Sequence, residues 1–539
     1  MTSQRAFNIR TIRLSIPALG PRFGSTKLAA AATRGALILA LLSTLLLIAA
    51  TPAQAQTETV LYNFCSVVSQ DDCVDGANPR SSLTSYGGNF YGTTLLGGTG
   101  LGVGLGTVFQ LSPNGGGGWN ESVLYNFCAE GGENCTDGAF PTGPVVFDSL
   151  GNLYGIVPEG GNSNCEVNQG CGIAFELSPV GAGWTEAVVY DFCSQPPYCY
   201  LGLYPGGGVV MDAAGNLYGQ LTSGPFELSP SPEGWTEQII SPYIRNSRSG
   251  LTMDAAGNMF GVGFDQAGQW AVYELSQNGR GIWDTTVLYV LGGPDSTAWS
   301  SPALDQAGNL YGTSQGAAAK GGGTIYKLTP GGSGWTKKTL FTFPFSNSSL
   351  NGFSLSGGVV LDESGNIYGT TNQGGTYDLG TVFELVPVGK GKYVERVLWN
   401  FSGADGSNPV AGVTLDGVGS LNGTTYAGGS NGNGVVFNVT GVVEATTTAL
   451  ASSPNPSTSG QAVTFTAVVT PSVGSVPDGE TVSFMRGKTV LGTGTLSGGS
   501  AGFTTSALPT GGALVTAVYG GDSMFVGSPS NAVKQVVKK

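Results

Sequence analysis

From about residue 58 the chain alternates short apolar runs with turn residues, and the alternation repeats. One copy shows the whole unit: GGVVLD (357–362), GNIYGTT (365–371), GTVFELVP (380–387) and VERVLWNF (394–401). Each run is strand length and rich in β-branched and aromatic residues, which predicts four consecutive strands. The first two are joined by Asp-x-x-Gly, with Asp148, Asp212, Asp254, Asp305, Asp362 and Asp416 at the corresponding positions. Asp caps such a turn with its carboxylate, and Gly takes the left-handed position. No long amphipathic helical pattern follows residue 55.

The phrase Gly-Asn, apolar, aromatic, Gly occurs at GNFYG (88–92), GNLYG (151–155), GNLYG (215–219), GNMFG (257–261), GNLYG (308–312), GNIYG (365–369) and, worn, GSLNG (419–423). Successive copies lie 63, 64, 42, 51, 57 and 54 residues apart. A strand-built repeat of this period predicts a propeller or a solenoid. The chain ends favour the former. The fourth-strand phrase VLYNF first occurs at 60–64, before the first repeat, whereas the last third strand, GVVFNV (434–439), has no fourth strand after it. Val60–Phe64 is therefore expected to pair beside Gly434–Val439. The expected fold is all-β: a seven-bladed β-propeller of four-stranded blades, its ring closed by the N-terminal strand, followed by a β-sandwich. Closure would hide two sheet edges.

In an antiparallel meander the first-to-second and third-to-fourth turns share one face. Here they are short and uniform. The other connections are long and irregular, at 65–81, 128–141, 157–171, 193–206, 315–323 and 372–379. Variable loops on one rim of a rigid scaffold are the expected place for a ligand. Trp119, Trp184, Trp235, Trp283 and Trp335 recur after the third strand, at a spacing that reads as packing between units rather than a ligand platform.

The first 55 residues differ from the rest. They hold Arg5, Arg10, Arg13, Arg22, Lys27 and Arg34, no acid, an apolar run at Ala36–Ala50 and then Ala53-Gln54-Ala55. This reads as a secretory signal over 1–55, cleaved after Ala55, with an uncleaved anchor as the alternative. The expected organisation is a signal at 1–55, a repeat region at 56–441 and a C-terminal domain at 445–539. The whole chain has a net charge of −13; without the six basic residues of the signal, 16 bases face 35 acids, a net of −19. That surplus argues against nucleic acid and against anionic membranes as partners. Histidine is absent, which removes His-based triads, His general bases and His-ligated metals.

All eight cysteines fall in close pairs: Cys65/Cys73, Cys128/Cys135, Cys165/Cys171 and Cys193/Cys199. An even count in an exported chain points to disulfides, and adjacent pairing is the expectation among the 105 connectivities that eight cysteines allow. A thiolate metal site is the rival, disfavoured because no pair has C-x-x-C spacing. Rim acids Asp71, Asp72, Asp75, Glu130, Glu133, Asp137 and Asp405 are candidate Ca²⁺ ligands by type, without EF-hand spacing. No catalytic residue and no cofactor is expected.

DGANP (75–79), DGAFP (137–141) and DGSNP (405–409) open three of the units. With DGxxP, D-x-x-GN-apolar-YGTT, GTVFxL and VLYNF in series, the chain over about 58–440 closely resembles the GloVer tandem-repeat family of exported bacterial proteins with varied C-terminal anchors. That resemblance implies export and repetition, and carries no catalytic residues. The fourth copy departs from the pattern, with IISPYI (239–244), and the third lacks the full DGxxP. From Ala445 on, Thr, Ser and Val dominate, and Tyr519-Gly520-Gly521-Asp522 followed by Phe525 resembles the bacterial Ig-like domains of surface proteins, which implies a spacer or adhesion module. The functional expectation is a secreted or cell-surface binding protein, not an enzyme, with an extracellular glycan or surface protein as partner and no membrane insertion after signal removal. The alternatives are a purely structural surface protein and a polysaccharide-acting enzyme with a carboxyl pair.

Overall fold

The computed structural model describes residues 57–539 except 70–71, 100–103, 130–134, 162–169, 182, 193–203, 246–248, 293–299, 316–321, 345–349, 363–364, 389–390, 417–418, 441–445, 472–474 and 522–524. The proposed signal segment and Cys165, Cys193, Cys199, Asp71, Glu130 and Glu133 lie outside the described residues.

The repeats form seven antiparallel sheets. The sixth is typical: Val360–Leu361, Ile367–Thr371, Thr381–Pro387 and Tyr393–Asn400 pair in sequence order. The first sheet has five strands: Thr84–Tyr86 holds the usual first-strand place, and Ala77–Pro79 adds a short strand at the far end of Asn89–Leu96. In the seventh, Thr414–Leu415, Leu421–Thr425 and Val435–Thr440 are completed by the N-terminal strand Thr57–Asn63, with Val60 opposite Phe437.

The expected ring-closed seven-bladed propeller is corrected here: the ladder hydrogen bonds define separate sheets, and none is closed into a propeller ring. The strand Thr57–Asn63 completes one sheet and goes no further. Ladder bonds need strands about 4.8 Å apart edge to edge, whereas neighbouring sheets here meet through side chains. Their links include backbone bonds between connecting segments, such as the Asn408 amide to the Leu379 carbonyl at 2.8 Å, and side chain to backbone bonds between strands. Thr84 Oγ1 donates to the Val145 carbonyl at 2.6 Å, Thr370 Oγ1 to Ala411 at 2.7 Å, and Thr414 Oγ1 to Leu83 at 2.7 Å.

Apolar cores fill the spaces between sheets. Phe at the end of one sheet's fourth strand meets Phe on the next sheet's third strand: Phe127–Phe175, Phe192–Phe226, Phe343–Phe383, Phe401–Phe437 and Phe64–Phe109, with centroids 5.0–5.2 Å apart. The tryptophans pack as expected between units, Trp235 on Tyr154 and Trp283 on Tyr218.

The two glycines of each repeated phrase have different causes. Gly215 has φ +85° and open space around it, so conformation alone demands it. Gly155 has no such φ; a Cβ there would lie 2.5 Å from Cζ of Phe175 on the paired strand. The expected result of Gly155→Ala is a loss of about 1–3 kcal/mol from overpacking, measured by denaturant unfolding against Gly151→Ala, whose Cβ would make an ordinary contact with the Tyr86 hydroxyl at 3.6 Å and whose cost is a strained φ of +88°.

The C-terminal residues form two sheets. Thr446–Ser453, Val463–Pro471 and Ser500–Thr505 make one; Thr481–Arg486, Thr489–Thr495, Gly511–Gly521 and Val533–Lys538 belong to the other. Alternating inward residues, among them Val463, Phe465, Val482, Phe484, Val515 and Tyr519, form a single apolar core, as a half-buried strand pattern requires.

Candidate functional site

Two repeated motifs turn out to be scaffolding. In the Asp-x-x-Gly-Asn turn, Asp212 accepts hydrogen bonds from the Ala214 and Asn216 amides at 2.9 Å, from Asn216 Nδ2 at 2.8 Å and from the Tyr218 hydroxyl at 2.9 Å. Burial opposes its ionisation, yet these donors hold the carboxyl below the usual carboxylate range. Asp305 and Asp362 have matching networks with Tyr311 and Tyr368. In the worn last copy Asn422 Nδ2 takes the tyrosine's place and reaches Asp416 at 3.4 Å.

The DGxxP acids are also committed. Asp75 accepts from the Tyr62 hydroxyl at 2.6 Å and the Ser66 amide at 2.8 Å; Asp137 from Tyr125 at 2.8 Å and the Ala129 amide at 2.9 Å; Asp405 from Trp399 Nε1 at 2.9 Å and the Ser402 amide at 2.7 Å. Each fastens its loop to the preceding fourth strand. The Pro of the phrase packs on a glycine of the preceding repeat, as Pro79 does on Gly434 and Pro141 on Gly106. Asp72 lies apart, in a small hairpin. Among the described residues no group of three or more Asp, Glu or Cys forms a metal site.

Sequence reasoning missed the glutamates facing these aspartates. Glu121 and Glu58, on the fourth strands of the first and seventh sheets, are half-buried. Desolvation, then the nearby Asp75 or Asp405 charge, pushes each up to about 8. Glu395 reaches about 8 through burial, against a hydrogen bond from Asn351. The recurring Trp-x-Glu spacing (Trp119/Glu121, Trp184/Glu186, Trp235/Glu237) was the available signal.

Disulfides join Cys65 to Cys73 and Cys128 to Cys135. Cys171 is also disulfide-bonded. Both complete pairs lie in the variable loops.

What the fold assembles is a cavity of about 760 Å³ lined by residues from all seven repeats. Its wall is the set of segments leading into and along the first strands, and it is rich in Ser and Gly, such as Ser82, Gly207, Ser301 and Gly358, interspersed with Pro, Ala and Val, such as Pro205, Ala303 and Val413. Small residues are forced there by backbone crowding: a Cβ on Gly207 would lie 2.2 Å from the Gly250 amide nitrogen. Arg80, Glu159 and Tyr204 supply charge and an aromatic ring to the lining. Each comes from a variable loop predicted to form the functional rim. Burial pushes Glu159 up from the ordinary glutamate value.

The Gloeobacter/Verrucomicrobia repeat matches residues 46–227 and 242–437. The chain belongs to the Gloeobacter/Verrucomicrobia repeat family. A bacterial Ig-like domain (group 3) matches residues 450–538. This member of the family is thus a secreted or cell-surface bacterial protein, a tandem-repeat region followed by an Ig-like domain. Among the described residues no helix is long and apolar enough to cross a membrane. No curated protein matches the sequence.

Several solved structures are similar at low identity. The extracellular domain of BT4673 from B. thetaiotaomicron is 10% identical, with a TM-score of 0.41; the match covers 90% of this chain and 58% of that one. The chain therefore spans well under two thirds of that relative. A protein of unknown function from Dyadobacter fermentans is 12% identical, TM-score 0.37, covering 72% and 98%. Trypanosoma rangeli sialidase is 10% identical, TM-score 0.35, covering 86% and 88%. At this level none of them transfers a ligand or an activity.

Proposed function

We propose that this protein is an extracellular binding protein whose ligand, a glycan, enters the shared cavity from the variable-loop side. One observation carries the reading: the cavity is lined by all seven repeats, and its charged and aromatic groups all come from the irregular loops. A wall that mixes serine hydroxyls and glycine backbone with Pro, Ala and Val suits a sugar, which presents hydroxyls and apolar C–H faces together, because each ligand hydroxyl needs a partner when water is excluded. The reading is non-enzymatic, since among the described lining residues Glu159 is the one acid and a two-carboxylate cleavage needs a second.

The test is titration calorimetry of the exported protein against a panel of oligosaccharides and polysaccharides, repeated with Ser301→Trp to fill the cavity. Saturable binding to one class, lost in Ser301→Trp with an unchanged unfolding temperature, is the expected result. Binding that survives the tryptophan moves the ligand to another surface. No binding by any member of the panel turns the search to surface proteins.

A further inference from the structure

We propose that the Arg80 side of the cavity recognises a carboxylate, so that the ligand is an oligosaccharide ending in a single acidic sugar. This deepens the glycan-binding reading above and rests on it.

Arg80 is the one cation among the residues lining the cavity, in a chain whose acids outnumber its bases 35 to 22. A lone positive group at a concave site of otherwise mainly uncharged residues stands out against that background. It is exposed and makes no ion pair among the described residues, so its donors are not spent on the fold. Its position is nevertheless fixed. The guanidinium lies over the Tyr426 ring, 5.4 Å from the centroid, a cation–π distance. Tyr426 is in turn tethered, since Asn78 Nδ2 donates to its carbonyl at 2.9 Å. Pro79, the residue before Arg80, packs against Gly434 of the same seventh repeat. The arginine is thus held at the junction of the first and seventh repeats, and a guanidinium seated on an aromatic face keeps its in-plane N–H groups for a ligand. Five donors in a rigid fork match a carboxylate in two-pronged fashion, which neutral hydroxyls do not.

Glu159 lines the same cavity but does not pair with Arg80. The two charges are separate fixtures, one fit for a carboxylate and the other for a hydroxyl. Serines such as Ser82 and Ser356 offer further hydroxyl partners.

Charge range decides between one carboxylate and many. The acid surplus acts over the Debye length, about 8 Å at physiological ionic strength, and repels a polyanion along its whole length. A single carboxylate in contact with Arg80 gains a charge-assisted hydrogen-bonded pair at short range and meets little of that opposing field.

The experiment compares a neutral trisaccharide of the class that binds in the panel with the same trisaccharide whose terminal hexose is oxidised to a uronic acid. Calorimetry uses the full exported chain and the Arg80→Gln and Arg80→Lys variants. The acidic form should bind at least about tenfold more tightly than the neutral form, the scale of a hydrogen bond to a charged group. Arg80→Gln should erase the preference, so that it binds the two sugars within about twofold of each other, and Arg80→Lys should keep only part of it. Unfolding temperatures of both variants report that the fold is intact. Equal affinity for the two sugars, or a preference that persists in Arg80→Gln, overturns the carboxylate assignment and leaves the cavity reading standing. If neither sugar binds at millimolar concentration in this protein, the carboxylate assignment falls together with the cavity reading.

Discussion

Truncating Phe64 to alanine should destabilise the protein by about 3–5 kcal/mol, the cost of emptying a fully buried aromatic site. Phe64 has no exposed surface and packs with Leu83, Phe90, Phe109, Leu111 and Val436. Those neighbours come from the first and seventh sheets, so this one side chain joins the two ends of the repeat region. Its amide donates to the Gly434 carbonyl at 3.1 Å, and Asn431 Nδ2 donates to its own carbonyl at 3.0 Å. The informative comparison is with Phe192→Ala, the equivalent position between the second and third sheets, also fully buried and 5.1 Å from Phe226. Similar losses in denaturant unfolding are expected, because both rings are fully buried and each meets a Phe of the next sheet at 5.0–5.1 Å. A Phe64→Ala loss under about 1 kcal/mol, beside a full loss for Phe192→Ala, would mean that the junction of first and last sheets opens in solution.

The second large effect is with pH. Glu58, Glu121 and Glu395 are each raised to about 8, against an unfolded value near 4.5. Between those values the folded chain holds protons that the unfolded chain has lost, so stability falls as pH rises. The contribution is complete below about pH 4.5, declines through neutrality and is gone above pH 8. Asp212 and Asp305, held below the ordinary range, act in the opposite sense: their contribution is present above about pH 4 and is lost in stronger acid. The stability maximum should therefore fall at about pH 4–6. For Glu121 and Glu395 the loss is on the order of 1–2 kcal/mol each, and less for the more exposed Glu58, where solvent screens the interaction. The unfolding temperature should drop by roughly 3–6 °C between pH 5 and pH 9. Calorimetry of the Glu121→Gln, Glu395→Gln double variant checks the cause. Glutamine keeps the shape without the ionisation, so most of the drop should vanish; a drop of unchanged size would place its origin in other groups.

Much of this molecule was readable from residues in order along the chain. The strand pattern at 357–401 became a four-stranded sheet, and the Asp-x-x-Gly turns formed with the expected carboxylate caps. The displaced N-terminal phrase paired where its missing partner required, Val60 opposite Phe437. These features are legible because they depend on local backbone conformation, on period-two side-chain alternation, or on a count of strands.

What could not be read depends on which side chains meet across different repeats. The second glycine of GNLYG looks like turn chemistry, but its cause is the Phe175 ring on the paired strand. Asp75 and Asp137 look like rim ligands, but both are buried and accept from the hydroxyls of half-buried tyrosines. The ionisation of Glu121 is set by burial and by an aspartate 46 positions earlier in the chain. A periodic sequence defines the order of strands within each sheet, not the bonding between sheets, which is why a hydrogen-bonded ring closure was inferred and separate sheets joined by threonine hydroxyls and phenylalanine pairs were found. The cavity and its isolated Arg80 belong to the same class. No single repeat contains them, and they exist only because packing brings seven first strands together. Sequence alone thus determined the repeat, its strands and turns, and the family; tertiary structure decided the surface on which function is placed, because that surface is a sum over contacts distant in the chain.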